Sequence, residues 1–97
     1  MKSELKRECG LTILKYILEL ATTYTLVLNR LEFSNHPTYL EVEGEYLRGE
    51  DSHSISVEIL QSGIYSLHWY GSNEVEESFS TNYLPEITKK IREKMYC

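Results

Sequence analysis

The sequence predicts an α+β fold in which two helices flank an antiparallel sheet along the chain. Apolar residues recur at three- and four-residue steps near both ends, a pattern typical of amphipathic helices. Between them, apolar and polar residues alternate, as they do in half-buried strands. At 97 residues the chain is long enough for one hydrophobic core, so we expect a single domain over 1–97. The predicted order is α-β-β-β-(β)-α, with a sheet that is a meander of three to four strands.

The first predicted helix is long, starting at Ser3 and ending near Arg30. Gly10 weakens its early turns by roughly 1 kcal/mol relative to alanine, so the helix could instead begin nearer Leu11. A second alternative stays open, because the stretch "TTYTLVLNR" is rich enough in β-branched residues to form a strand. The apolar stripe of the helix comprises Leu14, Ile17, Leu18, Ala21, Tyr24, Leu28 and Leu31.

Three segments after Pro37 alternate as strands do: "YLEVEGEYL", "HSISVEIL" and "IYSLHWY". Turn-forming residues separate them, and consecutive strands joined by short turns pair antiparallel. A short segment around Val75 to Phe79 is the optional fourth strand. The residues predicted to share one face of each strand are Leu40, Val42 and Tyr46, then Ile55, Val57 and Ile59, then Tyr65, Leu67 and Trp69.

The segment "LPEITKKIREKMY" predicts a C-terminal helix with Pro85 at its first position and Glu86 in its first turn. Its basic residues lie towards the C-terminal end, where the helix dipole stabilises cations. The same placement accounts for "KKIREK" without nucleic acid, so we expect no direct nucleic-acid binding. The predicted buried stripe is Leu84, Ile87, Ile91 and Met95.

Acidic residues are concentrated in the predicted sheet. Residues 39–80 contain nine acidic side chains and one basic side chain, Arg48, which gives −8, whereas the rest of the chain is positive and the whole chain carries −5. A face with that charge repels nucleic acid and attracts basic proteins. The nine are Glu41, Glu43, Glu45, Glu50, Asp51, Glu58, Glu74, Glu76 and Glu77.

Glu41, Glu43 and Glu45 occupy alternate positions, so their carboxylates are expected to form a line at a spacing of roughly 6.6 Å. A regular line of negative charge resembles a nucleic-acid backbone, with its phosphate every 3.4 Å or so per strand. The alternative is that the charges only keep an exposed strand soluble and unpaired. Tyrosines beside the acidic region are candidate packing contacts. The predicted partner-binding residues are Glu41, Glu43, Glu45, Glu50, Asp51, Tyr39, Tyr46, Tyr65 and Tyr70.

Catalysis, metals and cofactors are not predicted. The histidines His36, His53 and His68 stand alone rather than at metal-ligand spacing, and neither a GxSxG elbow nor a glycine-rich phosphate loop occurs. Cys9 and Cys97 are too few for a disulfide framework. The N-terminal segment is too polar for a signal peptide or a membrane span, so we expect a cytoplasmic protein without membrane contact.

The order of "SISVEI", "IYSLHWYG" and "LPEITKKI" in residues 39–95 resembles that of small α+β bacterial proteins, most of them without an assigned function. In size and acidity the chain is also similar to small inhibitors encoded by bacteria and their phages, namely immunity proteins, antitoxins and anti-CRISPR proteins. Those inhibitors share no fold, so this second resemblance implies a style of action and no residue roles.

The sequence therefore favours a non-catalytic inhibitor that covers a basic site on a nuclease toxin or immune effector with its acidic sheet face. The competing hypothesis is a scaffold or self-associating domain, such as a homodimer, whose acidic face serves only solubility.

Overall fold

The sheet is an antiparallel meander of five strands, and a helix precedes and follows it in the chain. The computed structural model describes residues 3–71 and 75–96, with side chains from Arg7 onward, so Glu74 and Cys97 lie outside the described residues. The strands are hydrogen-bonded in chain order, β1-β2-β3-β4-β5. The elements are α1 (Ser3–Thr23), β1 (Val27–Asn35), β2 (Tyr39–Arg48), β3 (Asp51–Leu60), β4 (Tyr65–Tyr70), β5 (Glu76–Thr81) and α2 (Leu84–Met95).

The predicted class is confirmed, but the sheet has one strand more than the predicted three to four. The optional fourth strand exists as β5, and the additional strand is β1, which the apolar spacing had assigned to the first helix. The prediction that this helix ends near Arg30 is wrong, because α1 ends at Thr23. The alternative assignment of "TTYTLVLNR" was right for its second half.

A hydrogen-bonded cap at Thr25 ends α1. The amide of Leu26 donates to the carbonyl of Ala21 over 2.8 Å, and the amide of Thr25 donates to that of Thr22 over 3.3 Å. Thr25 itself has φ 56°. This is the pattern of a Schellman cap, in which the residue after the helix takes a left-handed conformation that glycine usually provides. Threonine gives no sequence signal for that conformation, which is why the helix end was misplaced.

Both helices lie on one face of the sheet. α1 packs on β1 and β2, α2 packs on β4 and β5, and the two helices touch each other. The predicted inward residues of β2 and β3 are buried, apart from Leu40, which is half-buried. Tyr65 and Trp69 on β4 are also half-buried against this core. Core residues from the helices include Ile13, Ile17, Leu20, Ala21, Ile87, Ile91 and Met95.

Gly10 lies inside α1 rather than before it, and close packing explains its presence. A Cβ atom at this position would lie 2.8 Å from Cζ of Phe33 on β1 and 3.5 Å from Cδ1 of Ile59. The missing side chain therefore lets the helix approach the edge of the sheet, which offsets the lower helix propensity of glycine.

α2 begins at Leu84, so Pro85 is its second residue rather than the first as predicted. The hydroxyl of Thr81, at the end of β5, accepts a hydrogen bond from the amide of Tyr83 over 3.2 Å and donates to the carboxylate of Glu86. Thr81 thus supplies the capping contacts at this helix start, a position where the free amides favour such partners.

Candidate interaction surface

The face of the sheet opposite the helices carries the acidic residues. Strand register places Glu41, Glu43 and Glu45 on this side, because their neighbours Val42, Gly44 and Tyr46 point into the core. We call this side the open face. It comprises Val27, Arg30, Glu32, Ser34, Tyr39, Glu41, Glu43, Glu45, Leu47, Ser52, Ser54, Ser56, Glu58, Leu60, Ser66, His68, Tyr70, Glu76, Ser78 and Ser80.

Charge on the open face is unbalanced. Of its described residues, six are glutamates and one is an arginine. Glu58 on β3 makes no hydrogen bond or ion pair among the described residues. Serines occupy most of the remaining positions on β3, β4 and β5, so the face is low in profile there. A flat surface with excess negative charge is suited to a broad basic surface rather than to a small molecule.

Arg30 on β1 organises two of the three aligned glutamates. Its Nε donates to Oε1 of Glu45 over 2.7 Å, and its Nη1 donates to Oε1 of Glu43 over 2.8 Å. These hydrogen bonds, first that to Glu43 and then that to Glu45, raise the pKa of Arg30 further above its usual value. Arg30 fixes the positions of both carboxylates and offsets part of their charge. Sequence reasoning missed this residue because it had placed Arg30 at the end of a helix.

Glu41, the third aligned glutamate, is held by different partners. Its Oε2 accepts from the hydroxyl of Ser56 over 2.9 Å, and its Oε1 lies 3.2 Å from Nε2 of His36. The imidazole of His36 in turn stacks on the ring of Tyr39, with the ring centroids 4.4 Å apart. This cluster gives one corner of the open face a fixed arrangement of a carboxylate and two rings.

His68 lies in the middle of β4 and contacts serines. Its Nε2 lies 3.3 Å from the hydroxyl of Ser66, and its Nδ1 lies 3.1 Å from the hydroxyl of Ser78. Ser80 extends the network by donating to Ser66 over 3.3 Å. The imidazole is thereby placed on a flat exposed face, and its two ring nitrogens already have partners.

Two of the four predicted tyrosines are not on the open face. Tyr46 is fully buried, and its hydroxyl accepts a hydrogen bond from Nε1 of Trp69 over 3.0 Å. Tyr65 points towards α1 and donates to Sγ of Cys9 over 3.3 Å, and burial, as the larger cause, raises its pKa to about 12. Both side chains lie on the helix side of the sheet, at the alternate positions that predicted the core, and full burial rules out Tyr46 as a surface contact.

Tyr39 and Tyr70 do lie on the open face, Tyr39 at the start of β2 and Tyr70 at the end of β4. Tyr39 is on β2 beside Leu60, and Tyr70 is on β4 beside Glu76 of β5. The carboxylate of Glu76 raises the pKa of the exposed Tyr70 phenol. Tyr70 is level with Glu45 of β2 and lies two strands away from β2. The distance along β2 from Tyr39 to Glu45, combined with two strand spacings, separates the two rings by roughly 20 Å or more.

The turn between β2 and β3 extends the acidity beyond the open face. Glu50 and Asp51 are exposed there, as predicted. Arg48, beside them, is directed away, because its Nη2 donates to the carbonyl of Met95 at the end of α2 over 2.7 Å. The turn therefore keeps its negative charge accessible.

Basic and aromatic side chains meet on the helix side of the sheet instead. The Nζ of Lys94 lies 5.2 Å from the ring centroid of Trp69 and contacts the carboxylate of Glu77, and the Nζ of Lys90 lies 5.1 Å from the ring centroid of Phe79. A shallow groove of about 230 Å³ between α2 and β5 is lined by Phe79, Glu86, Lys89, Lys90 and Glu93.

Over residues 3–71 and 75–96, no group of three or more His, Cys, Asp or Glu side chains is arranged to hold a metal ion. Within the same ranges, neither helix combines the length and the apolar character that crossing a bilayer requires.

No family model, curated protein or solved structure matches this chain.

Proposed function

We propose that this protein is a non-catalytic inhibitor that binds a basic, nucleic-acid-handling site on another protein through its open face. The observation that carries the proposal is the charge of the open face. Its described residues, which lie on five paired strands, include six glutamates and one arginine. A cytoplasmic location and a nuclease toxin or immune effector as the partner are parts of the same proposal.

The supporting physics concerns preorganisation. Long acidic side chains lose rotamer freedom when they bind, which weakens association. Arg30 already fixes Glu43 and Glu45, while Ser56 and His36 fix Glu41. Much of that cost is therefore met in the free protein, and the negative field additionally steers a basic partner towards the face.

Tyr39 and Tyr70 supply the contacts that charge alone lacks. Exposed aromatic side chains in an interface contribute large contact areas with few rotatable bonds. The two tyrosines lie at opposite ends of β2 and β4, so a partner that covers the open face would touch both. The spacing of the rings and carboxylates together would then let the protein distinguish one basic site from another.

Photo-crosslinking in cells of the source organism tests the proposal. A photoreactive residue replaces Ser78 on the open face in one variant and Lys89 on the exposed side of α2 in the control. We expect the Ser78 variant to trap a basic protein whose nucleic-acid binding the purified wild type blocks, and nucleic acid to compete for the complex. Equal crosslinking from Lys89, or a trapped protein whose nucleic-acid binding is unaffected, would contradict the proposal.

A further inference from the structure

The outer edge of β1 and the adjoining side of α1 form one partly exposed apolar surface. β1 is the first strand of the sheet, so one of its edges carries no neighbouring strand. Its inward residues Leu28, Leu31 and Phe33 pack against the core but are only half-buried. An unpaired strand edge of nine residues is a template for pairing with another strand.

A stripe of α1 borders this edge. Arg7, Leu11, Leu14 and Leu18 are separated by steps of four, three and four residues, which places them on one side of a helix. The Arg7 guanidinium carbon lies 5.8 Å from the ring centroid of Phe33 on β1. Cys9, on the other flank of α1, contacts Tyr65 on β4 instead. The stripe therefore faces β1, and on it Leu11 and Leu18 remain 40% and 49% exposed.

We propose that two copies of this chain form a dimer by antiparallel pairing of β1 with β1, with the twofold axis at Leu31. The sheet then has ten strands, and α1 of each copy packs against α1 of the other through Leu11, Leu14 and Leu18. This inference does not depend on the proposed function, since it concerns the β1 edge of the sheet and leaves the open face of β2 to β5 uncovered.

Charge complementarity favours this register. With Leu31 opposite Leu31, residue 30 of each copy stands opposite residue 32 of the other, so Arg30 faces Glu32 of the second copy twice. Within one chain the Glu32 side chain is 54% exposed, and its contact with Arg30, at 3.5 Å, is the longest of the three that Arg30 makes. Those with Glu43 and Glu45 are 2.8 and 2.7 Å long. Glu32 is thus the carboxylate available for an intermolecular pair.

Helix and strand dimensions agree with the same axis. Gly10 lies over Phe33. Two residues back along β1 span roughly 6.6 Å, and about four residues forward along the antiparallel α1 span nearly the same distance. Leu14 is then level with Leu31. α1 packs on β1 and β2 alike, so its axis lies about one strand spacing from the twofold axis, and the two helices come about 10 Å apart, the distance at which helices pack.

The opposite edge is less suited to pairing. β5 has six residues, and on its helix side Lys90 covers the ring of Phe79. The β1 edge has one irregularity, a bulge between Leu28 and Arg30. Because the bulge shortens the regular ladder, the leucines of α1 must supply much of the interface.

Sedimentation velocity over a concentration series tests the dimer, using the full chain at up to about 100 μM, where association in the micromolar range is visible. The first variant is Leu18→Lys, with Val75→Lys beside the β5 edge as its control, since Val75 is 48% exposed. The second variant is Glu32→Lys, with Glu58→Lys on the open face as its control. Circular dichroism verifies that each variant is folded.

We expect a dimer for the wild type and both controls, and self-association at least about tenfold weaker for Leu18→Lys and Glu32→Lys. A wild type that stays monomeric throughout the series would overturn the proposal. A dimer that neither Leu18→Lys nor Glu32→Lys weakens would overturn it as well, as would loss of the dimer in Val75→Lys or Glu58→Lys.

Discussion

Arg30 Nε lies 2.7 Å from Oε1 of Glu45 on the neighbouring strand, so the aligned glutamates of β2 have a counterion on β1. With Nη1 of Arg30 on Glu43 as well, the charge in the middle of the row is partly offset. The uncompensated negative charge lies to either side, at Glu58 of β3 and in the turn at Glu50 and Asp51. The open face is therefore structured by its one cation rather than uniformly negative.

Replacing Arg30→Gln should accelerate association with the crosslinked partner, because removing a cation from an acidic interface strengthens the field that steers a basic protein. Stopped-flow mixing at several salt concentrations measures the rate. We expect a faster rate at low salt and a steeper decrease with added salt than for the wild type. The same substitution at an exposed basic residue of α2, Arg92→Gln, is the control. A slower rate for Arg30→Gln would show that its cation contacts the partner directly.

Thr25→Gly should stabilise the fold by about 0.5–1 kcal/mol, because a β-branched residue is strained in the left-handed conformation that the helix cap requires. Urea unfolding followed by circular dichroism gives the free energy of unfolding. Thr23→Gly, at the last residue of α1, should instead destabilise the protein, since glycine is a poor helix former. Loss of stability in Thr25→Gly would contradict the cap geometry.

His53 should make the folded state less stable at mildly acidic pH. Its ring is 7% exposed and lies between Tyr46 and Trp69 with ring centroids 5.2 and 5.6 Å away, and its Nδ1 has no hydrogen-bond partner among the described residues. Burial, with a smaller effect from Arg48, lowers its pKa below the usual 6.5, against a weaker opposing effect of Asp51. The unfolded chain then binds the proton more readily, so stability present above about pH 6.5 is lost as the pH decreases.

His53→Phe keeps a ring in the stack and removes this titration. The free energy of unfolding is measured between about pH 7.5 and 5, a range that brackets the usual histidine pKa. Over this range it should decrease less steeply for His53→Phe than for the wild type. Ser80→Ala on the open face, which changes no titrating side chain, is the control and should keep the slope of the wild type. Identical slopes for the wild type and His53→Phe would be incompatible with a neutral buried imidazole.

Tyr46→Phe separates the core from the interface. It removes the acceptor of the hydrogen bond from Trp69 Nε1, which is 3.0 Å long, and an unsatisfied indole donor should cost about 1–2 kcal/mol of stability. Because Tyr46 is fully buried, affinity for the partner should not change. Tyr39→Ala should do the opposite, weakening binding more than folding. Titration calorimetry and urea unfolding of the same two proteins distinguish these outcomes.

Strand alternation predicted the inward residues of β2, β3 and β4 because those strands have one buried and one exposed face. The same rule could not recognise β1. Leu28 and Leu31 are three residues apart, the spacing of a helix, because the bulge between Leu28 and Arg30 adds a residue to a strand that otherwise alternates. The irregularity of an edge strand therefore imitated helical periodicity.

The acidic side chains of the site were predictable from alternation, whereas their partners were not. Arg30 pairs with Glu43 and Glu45 only because β1 lies beside β2, a neighbourhood that requires the missed strand. His36 reaches Glu41 because the turn after β1 brings the strands together, with the His36 amide bonded to the Tyr39 carbonyl over 2.9 Å. Composition could not separate the buried Tyr46 from the exposed Tyr70, because a tyrosine suits both a core and an interface.

The association rates of two matched triple variants test whether the partner binds the open face. One variant carries Glu41→Gln, Glu43→Gln and Glu45→Gln on the open face, and the other carries Glu8→Gln, Glu19→Gln and Glu93→Gln on the helices, so both change the net charge equally. We expect the first to slow association with the crosslinked partner by about tenfold at low salt and to flatten its salt dependence, with little effect of the second. Equal rates for the two variants would contradict binding through the open face, because its glutamates would then affect association only through the net charge of the protein.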